Sequence, residues 1–172
     1  HNGAGKTTLL KSLFGLLPPW EGQVFFRGHE IAGRKPDLNV KEGIAFMPQG
    51  QGLFPDLTVV ENLEISSFGL DETTLKRRMQ HVFELFPILG ERKKQRAGTL
   101  SGGEQQRVAI AAALANDAPV ILADEPTGEL DTVNAKIVVE YLAKVSRELG
   151  KTVIMVTHDP NVAREADRIL RI

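Results

Sequence analysis

The sequence predicts an α/β fold with a mainly parallel sheet, a small antiparallel β segment and an inserted helical subdomain. Three observations lead there. Two continuous apolar runs, Val120-Ile121-Leu122-Ala123 and Val153-Ile154-Met155-Val156, have the character of strands buried on both faces of a parallel sheet. Between them Val138, Tyr141, Leu142, Val145 and Leu149 recur at helical spacing up to Gly150, as a crossover helix requires. A stretch of helical patterning, about residues 50–116, separates this half from an earlier strand, Ile44-Ala45-Phe46-Met47. The 172 residues are read as one domain, with a core lobe of about residues 1–49 and 117–172 and a helical subdomain of about 50–116.

The elements follow in order. Leu9, Leu10, Leu13, Phe14 and Leu17 give a first helix from near Gly5, stopped by Gly15 and Pro18-Pro19. Residues 23–26 and the turn Arg27-Gly28-His29 suggest a β-hairpin. Thr58-Val59-Val60-Glu61 is a capping box, and Leu75, Met79, Val82, Phe83 and Phe86 form one apolar stripe before Pro87. Ser101-Gly102-Gly103-Glu104 is a second capping box, leading into an apolar helix. Asp159-Pro160 supplies a helix cap and first residue near the end. Trp20 and Tyr141 are expected to serve packing.

Composition excludes several classes. Formal charge is -1, and the charged runs Lys76-Arg77-Arg78 and Glu91-Arg92-Lys93-Lys94-Gln95-Arg96 read as solvated faces, so no nucleic-acid partner is expected. With no cysteine, disulfides and thiolate metal sites are out, which fits a reducing compartment. The longest apolar run, residues 108–115, falls far short of the roughly 20 residues that cross a bilayer, so direct membrane insertion is not expected.

The chemistry starts at Asn2-Gly3-Ala4-Gly5-Lys6-Thr7-Thr8. This is the back half of G-x-x-x-x-G-K-[ST], the phosphate loop of a P-loop NTPase core: backbone N–H groups surround phosphate oxygens and the lysine reaches the outer phosphates. The helix dipole adds to that field, and Thr7 would offer its hydroxyl to Mg2+. Counted back from Gly5, the motif's first glycine would precede His1. After the buried strand come Asp124 and Glu125, at the carboxyl end where parallel sheets place ligands. Asp124 there can hold Mg2+ through water, and Glu125 can orient or deprotonate a water aimed at the γ-phosphate. ATP and Mg2+ are therefore the expected ligands. The capping box explains Ser101 and Glu104 but not Gly102 and Gly103, which cost helix stability and suit close approach of a ligand. One nucleotide needs one cradle on its terminal phosphates, so this second phosphate-binding helix start points to a site shared between subunits.

In this order the motifs resemble the nucleotide-binding domain of ATP-binding-cassette (ABC) transporters, over almost the whole chain. Residues 2–8 look like Walker A, Gln49 like the Q-loop glutamine, residues 100–105 like the family signature, and residues 120–125 like Walker B. Gly128-Glu129-Leu130-Asp131 stands where the D-loop does, and Thr157-His158-Asp159 where the H-loop does. The resemblance implies that Glu125 is the catalytic carboxylate and that Lys6 and His158 contact the γ-phosphate. It implies that Gln49 touches Mg2+ and relays nucleotide state to a transmembrane permease. Ser101, Gly102, Gly103, Gln105 and Asp131 would meet nucleotide across a head-to-tail dimer of nucleotide-binding domains, with Thr7, Gln49 and Asp124 around the metal. The location implied is the cytoplasmic face of the cell membrane, without insertion. Residues 49–55 and 84–99 are similar to ATPases of branched-chain amino-acid importers, and the chain from Arg107 onward, particularly residues 122–131, to lipoprotein-releasing and macrolide-type exporters. Against the family pattern the opening strand, an adenine-stacking aromatic and the first Walker A glycine are missing, so the sequence reads as an internal slice of a gene that on its own binds nucleotide weakly. The alternatives are a soluble cassette acting on nucleic acid or ribosomes, or a nucleotide-binding fragment without turnover.

Overall fold

A computed structural model describes residues 5–50, 52–67 and 69–171. Among these, three parallel strands form the central sheet in the order β3 (Ile44–Met47), β4 (Val120–Asp124), β5 (Thr152–Val156). The register places Met47 beside Ala123 and Ala123 beside Met155, while Asp124 pairs with Val156. All three carboxyl ends therefore reach one rim. A separate antiparallel pair, β1 (Phe25–Phe26) and β2 (His29–Glu30), turns through Arg27 and Gly28.

Alternation along the strands divides the core between the two sheet faces. Ile44, Leu122 and Val156 face helix α1 (Lys6–Phe14) and the hairpin, meeting Leu10, Leu13, Phe14, Phe26 and Ile31. Phe14 stacks on Phe46 with centroids 5.1 Å apart. Ala45, Met47, Ile121 and Ala123 turn the other way, toward α6 (Gly102–Ala115) and α7 (Thr132–Arg147), where Val108, Ile110, Val138, Leu142 and Val145 are buried. Short α2 (Pro36–Glu42) leads into β3. Helices α3 (Val59–Ser66), α4 (Glu72–Leu85) and α5 (Pro87–Glu91) pack around α6, and α8 (Pro160–Arg164) follows β5.

Both expected capping boxes form. Thr58 accepts from the Glu61 N–H while Glu61 accepts from the Thr58 N–H, and Ser101 and Glu104 do the same. Asp159 caps α8 by accepting from Asn161 N–H at 2.8 Å.

Three expectations are corrected, and two helices come in addition. Strand β5 is not buried on both faces: it ends the described sheet, and Ile154 is 41% exposed. Trp20 does not pack, being fully exposed, whereas Tyr141 does, 4.6 Å from the Phe86 ring. The helices α2 and α5 carry no long apolar period and were not foreseen; each begins at a proline preset for helix entry. The basic clusters are not merely solvated. Arg92 pairs with Glu104 at 3.0 Å, and Arg78 reaches Asp117 at 3.7 Å and donates to the Ala115 carbonyl. Lys151 also bonds Asp117, so that carboxylate ties α4 to the entry of β5. Burial pushes the Asp117 pKa up, but Lys151, Arg78 and His81 outweigh it and leave it below the ordinary range.

Candidate functional site

The rim at the strand ends gathers the expected residues. Asn2, Gly3 and Ala4 lie outside the described residues; Gly5 caps α1 in the left-handed region, and Lys6 is the first helical residue. Thr7 Oγ1 donates to Asp124 Oδ1 at 2.9 Å, so the start of α1 is fastened to the end of β4. Asp124 is 1% exposed. A bare carboxylate this buried is costly unless paired, and the Thr7 hydroxyl supplies one partner while a cation is the natural second. Among the described residues no three or more His, Cys, Asp or Glu side chains form a metal cage. Mg2+ typically takes one or two carboxylates and fills the rest of its shell with water and phosphate oxygens. The hard oxygen pair of Thr7 and Asp124 fits that habit.

Glu125 follows at once with φ +48, in a region non-glycine residues rarely occupy and that costs about 1–3 kcal/mol. Its N–H still donates to Val156 O at 2.9 Å, carrying the ladder one step past β4, and its carbonyl accepts from Gly128 N–H at 3.1 Å. The bend aims its carboxylate at the end of β5. There His158 Nδ1 lies 2.9 Å from Glu125 Oε2, and the His158 backbone N–H donates to the same oxygen at 3.3 Å. The glutamate side chain is one-tenth exposed and the imidazole more than half. The imidazole therefore lies against the carboxylate with much of its ring still facing solvent. His158 is thus more than a neighbour of the Asp159 cap.

Gln49 sits two residues beyond β3, exposed on the same rim. Gly50 beside it approaches Glu129, whose Oε1 would be 3.9 Å from an added Cβ.

The second helix start stands to the side of this cluster. Chain direction fixes its height: α6 descends over the sheet and residues 116–119 return the chain into the foot of β4. The N-terminus of α6 therefore lies at the carboxyl rim, about 20 Å above its C-terminus. Ser101 and Gly102 are exposed there, and Gln105 Nε2 donates to Leu100 O at 3.0 Å. Glu104 is pushed up by burial but held below the ordinary carboxylate range by the Ser101 N–H and hydroxyl and by Arg92 and Arg107.

Glycine at 103 has a reason within the fold, besides the close approach of a ligand. Gly103 is buried, and an added Cβ would fall 2.2 Å from Asn134 Oδ1 and 2.9 Å from Asn134 Cβ. Its missing side chain makes room for another part of the same chain. Asp131 caps α7, its Oδ1 accepting from Val133 and Asn134 N–H at 3.0 Å and its Oδ2 from Asn134 Nδ2 at 2.6 Å. These bonds lower the Asp131 pKa, the Asn134 side chain contributing most. Sequence reasoning missed Asn134; the spacing Asp-x-x-Asn at a helix start was the available signal. It also missed Asn62, buried in α3, which accepts from Phe54 N–H and donates to Phe54 and Thr58 carbonyls, fixing the segment after Gln49. A polar residue beside buried Val59 and Leu63 was the clue there.

Comparison with known proteins agrees with this geometry. The ABC transporter family profile matches residues 1–128. A probable branched-chain amino acid transport ATP-binding protein of Archaeoglobus fulgidus is 43% identical over 163 residues, 95% of this chain and 68% of that one. A macrolide export ATP-binding/permease protein of Marinobacter nauticus is 39% identical over 175 residues, 99% of this chain and 27% of that protein. Among solved structures, a dimeric post-hydrolysis ATP-binding cassette bound to ADP and Pi superimposes with a TM-score of 0.79 at 36% identity, covering 97% of this chain and 75% of that one. That cassette comes from Methanocaldococcus jannaschii. The chain belongs to the ABC transporter family, as a P-loop cassette that binds and hydrolyses ATP. Both kinds of transporter whose ATPases the two halves of the sequence resemble are represented among these relatives.

Proposed function

We propose that this cassette drives a membrane transporter from the cytoplasmic face, closing head to tail with a second nucleotide-binding domain around ATP and parting after hydrolysis. A transmembrane permease is the other partner; the relatives named as a transport ATP-binding protein and as an ATP-binding/permease protein support this. The single observation that carries the reading is that α1 and α6 both begin on one rim, α1 bonded to β4 through Thr7 and Asp124 and α6 packed at Gly103 against Asn134. Two helix starts on opposite faces of the sheet that open in the same direction do not enclose one nucleotide. A second copy related by a two-fold axis sets the α6 start of one chain over the α1 start of the other, and makes two such sites.

In each site the roles follow from position. Residues 2–8 cradle the phosphates, with Lys6 on the outer ones. Thr7 and Asp124 would hold Mg2+, with Gln49 completing its surroundings and carrying nucleotide state toward the permease. The metal supplies charge neutralisation on the phosphate oxygens. Glu125 accepts the proton of the attacking water, and His158 keeps its carboxylate in place while turning Nε2 toward the γ-phosphate. Ser101, Gly102, Gly103 and Gln105 of the partner copy close on the same phosphates, and Asp131 lies along the seam. The helical lobe, about residues 50–116, moves against the core lobe, about 1–49 and 117–172, between these states.

The Glu125→Gln variant tests the reading. With ATP and Mg2+ it should accumulate as a dimer by light scattering and return to monomer with ADP. A monomer in both conditions overturns it.

A further inference from the structure

The amide of Asn134 touches two elements that the proposed dimer would present to the partner's nucleotide. One side of it, Nδ2, donates to Asp131 Oδ2 at 2.6 Å, so with Oδ1 held by two backbone N–H groups the whole Asp131 carboxylate is fixed. The other side, Oδ1, occupies the space a Gly103 side chain would fill, 2.2 Å from that imagined Cβ. Helix α6 and the start of α7 therefore cannot slide past one another without expelling this amide. From Asp131 the connection continues along the chain. Leu130 N–H donates to Thr127 O and Gly128 N–H to Glu125 O, both at 3.1 Å, so residues 125–130 form a double turn that leads directly into Asp131. Its first residue is Glu125, held at φ +48.

We propose that Asn134 is a positioning residue that couples the Ser101–Gly103 helix start, through the Asp131 cap, to this chain's own Glu125. It acts through Asp131 and Gly103 and touches no reacting atom. The inference rests on the shared-site reading: nucleotide held by the partner presses on Ser101 and Gly102, the press is passed through the Asn134 wedge, and the Glu125 carboxylate responds in the other site. The two ATP sites are then cooperative because one amide is common to both. A rigid contact with two arrangements, wedge in or wedge out, is the element such coupling needs.

The test is ATP hydrolysis by the full chain as a function of ATP concentration, for the parent, Asn134→Ala, Gly103→Ala and the double variant, with thermal midpoints measured alongside. A parent Hill coefficient of about 2, the limit for two sites, should fall to about 1 in Asn134→Ala. Gly103→Ala, which drives the amide out, should do the same, and the double variant should be no less cooperative than either single one. A residue that only stabilised α7 would lower the thermal midpoint in Asn134→Ala and leave the Hill coefficient at the parent value, and that result overturns the proposal. Additive losses in the double variant also overturn it, since they would deny a common contact. A non-cooperative parent that is indifferent to Ser101→Arg brings down the shared-site reading and this inference with it. A cooperative, Ser101-sensitive parent with an unchanged Asn134→Ala brings down this inference alone.

Discussion

Glu125 and His158, thirty-three residues apart in sequence, share one oxygen: Glu125 Oε2 lies 2.9 Å from the imidazole Nδ1 and accepts the His158 backbone N–H. The carboxylate is thereby fixed twice from the end of β5, while its own backbone is bent at the end of β4. Removing the imidazole leaves only the longer backbone bond. His158→Ala should lower turnover by about 100-fold, the cost of a reacting group displaced by about an ångström, with ATP affinity little changed. Glu125→Gln, which keeps the shape but cannot take a proton, should lose about 100-fold to 10,000-fold. Steady-state hydrolysis set against equilibrium nucleotide binding separates the two effects.

Gly15 ends α1 with φ +93, and an added Cβ would sit 2.2 Å from the Arg34 carbonyl oxygen. Backbone conformation and space both exclude a side chain, and Asn39, which donates to the Phe14 carbonyl at 2.9 Å, closes the same corner. Gly15→Ala should destabilise the fold by roughly 2–4 kcal/mol. Urea unfolding should show a lower midpoint with an unchanged slope, and an unchanged midpoint would refute the packing.

Glu104 gives a pH dependence with a definite sign. Burial raises its pKa, but the Ser101 N–H, the Ser101 hydroxyl, Arg92 and Arg107 together bring it below the ordinary value. The unfolded chain therefore takes up this proton first on acidification. The stabilisation is fully present above the unfolded pKa, roughly 4.3, and is lost as pH falls through the folded one. Glu104→Gln should be less stable than the parent at pH 7, and the gap should narrow as pH drops below about 4. Urea midpoints across that range measure it; a gap that widens in acid would contradict the assignment.

The elements that could be read in advance are those whose signal is local. The Thr58 and Ser101 capping boxes, the stripe on α4, and strands β3 and β4 all announce themselves by spacing or by unbroken apolar character. The rim cluster was legible for a similar reason: Thr7, Asp124, Glu125 and His158 each stand directly after or before such an element, so parallel pairing alone brings them together. What escaped depends on contacts across the chain. That Gly103 also makes room for Asn134, which comes from another helix, cannot be read from its neighbours in sequence. Trp20 reads as core by its size, and only the tertiary fold leaves it in solvent. Ile154 lies in an apolar run like that of β4, yet its exposure is set by its place in the sheet order.

The shared site is tested most directly by mixing two inactive variants, Lys6→Ala and Ser101→Arg. Each alone should fail to hydrolyse ATP, because every site in its dimer lacks one of the two helix starts. In the mixed dimer, Lys6 of one chain and Ser101 of the other rebuild a single intact site, and half of the dimers in an equal mixture are mixed. Hydrolysis should return, with about a quarter of the parent rate as its ceiling, because half of the dimers carry one intact site and coupling to the dead one can only slow it. If the mixture stays as inactive as its components, each site is complete within one chain and the head-to-tail account is wrong.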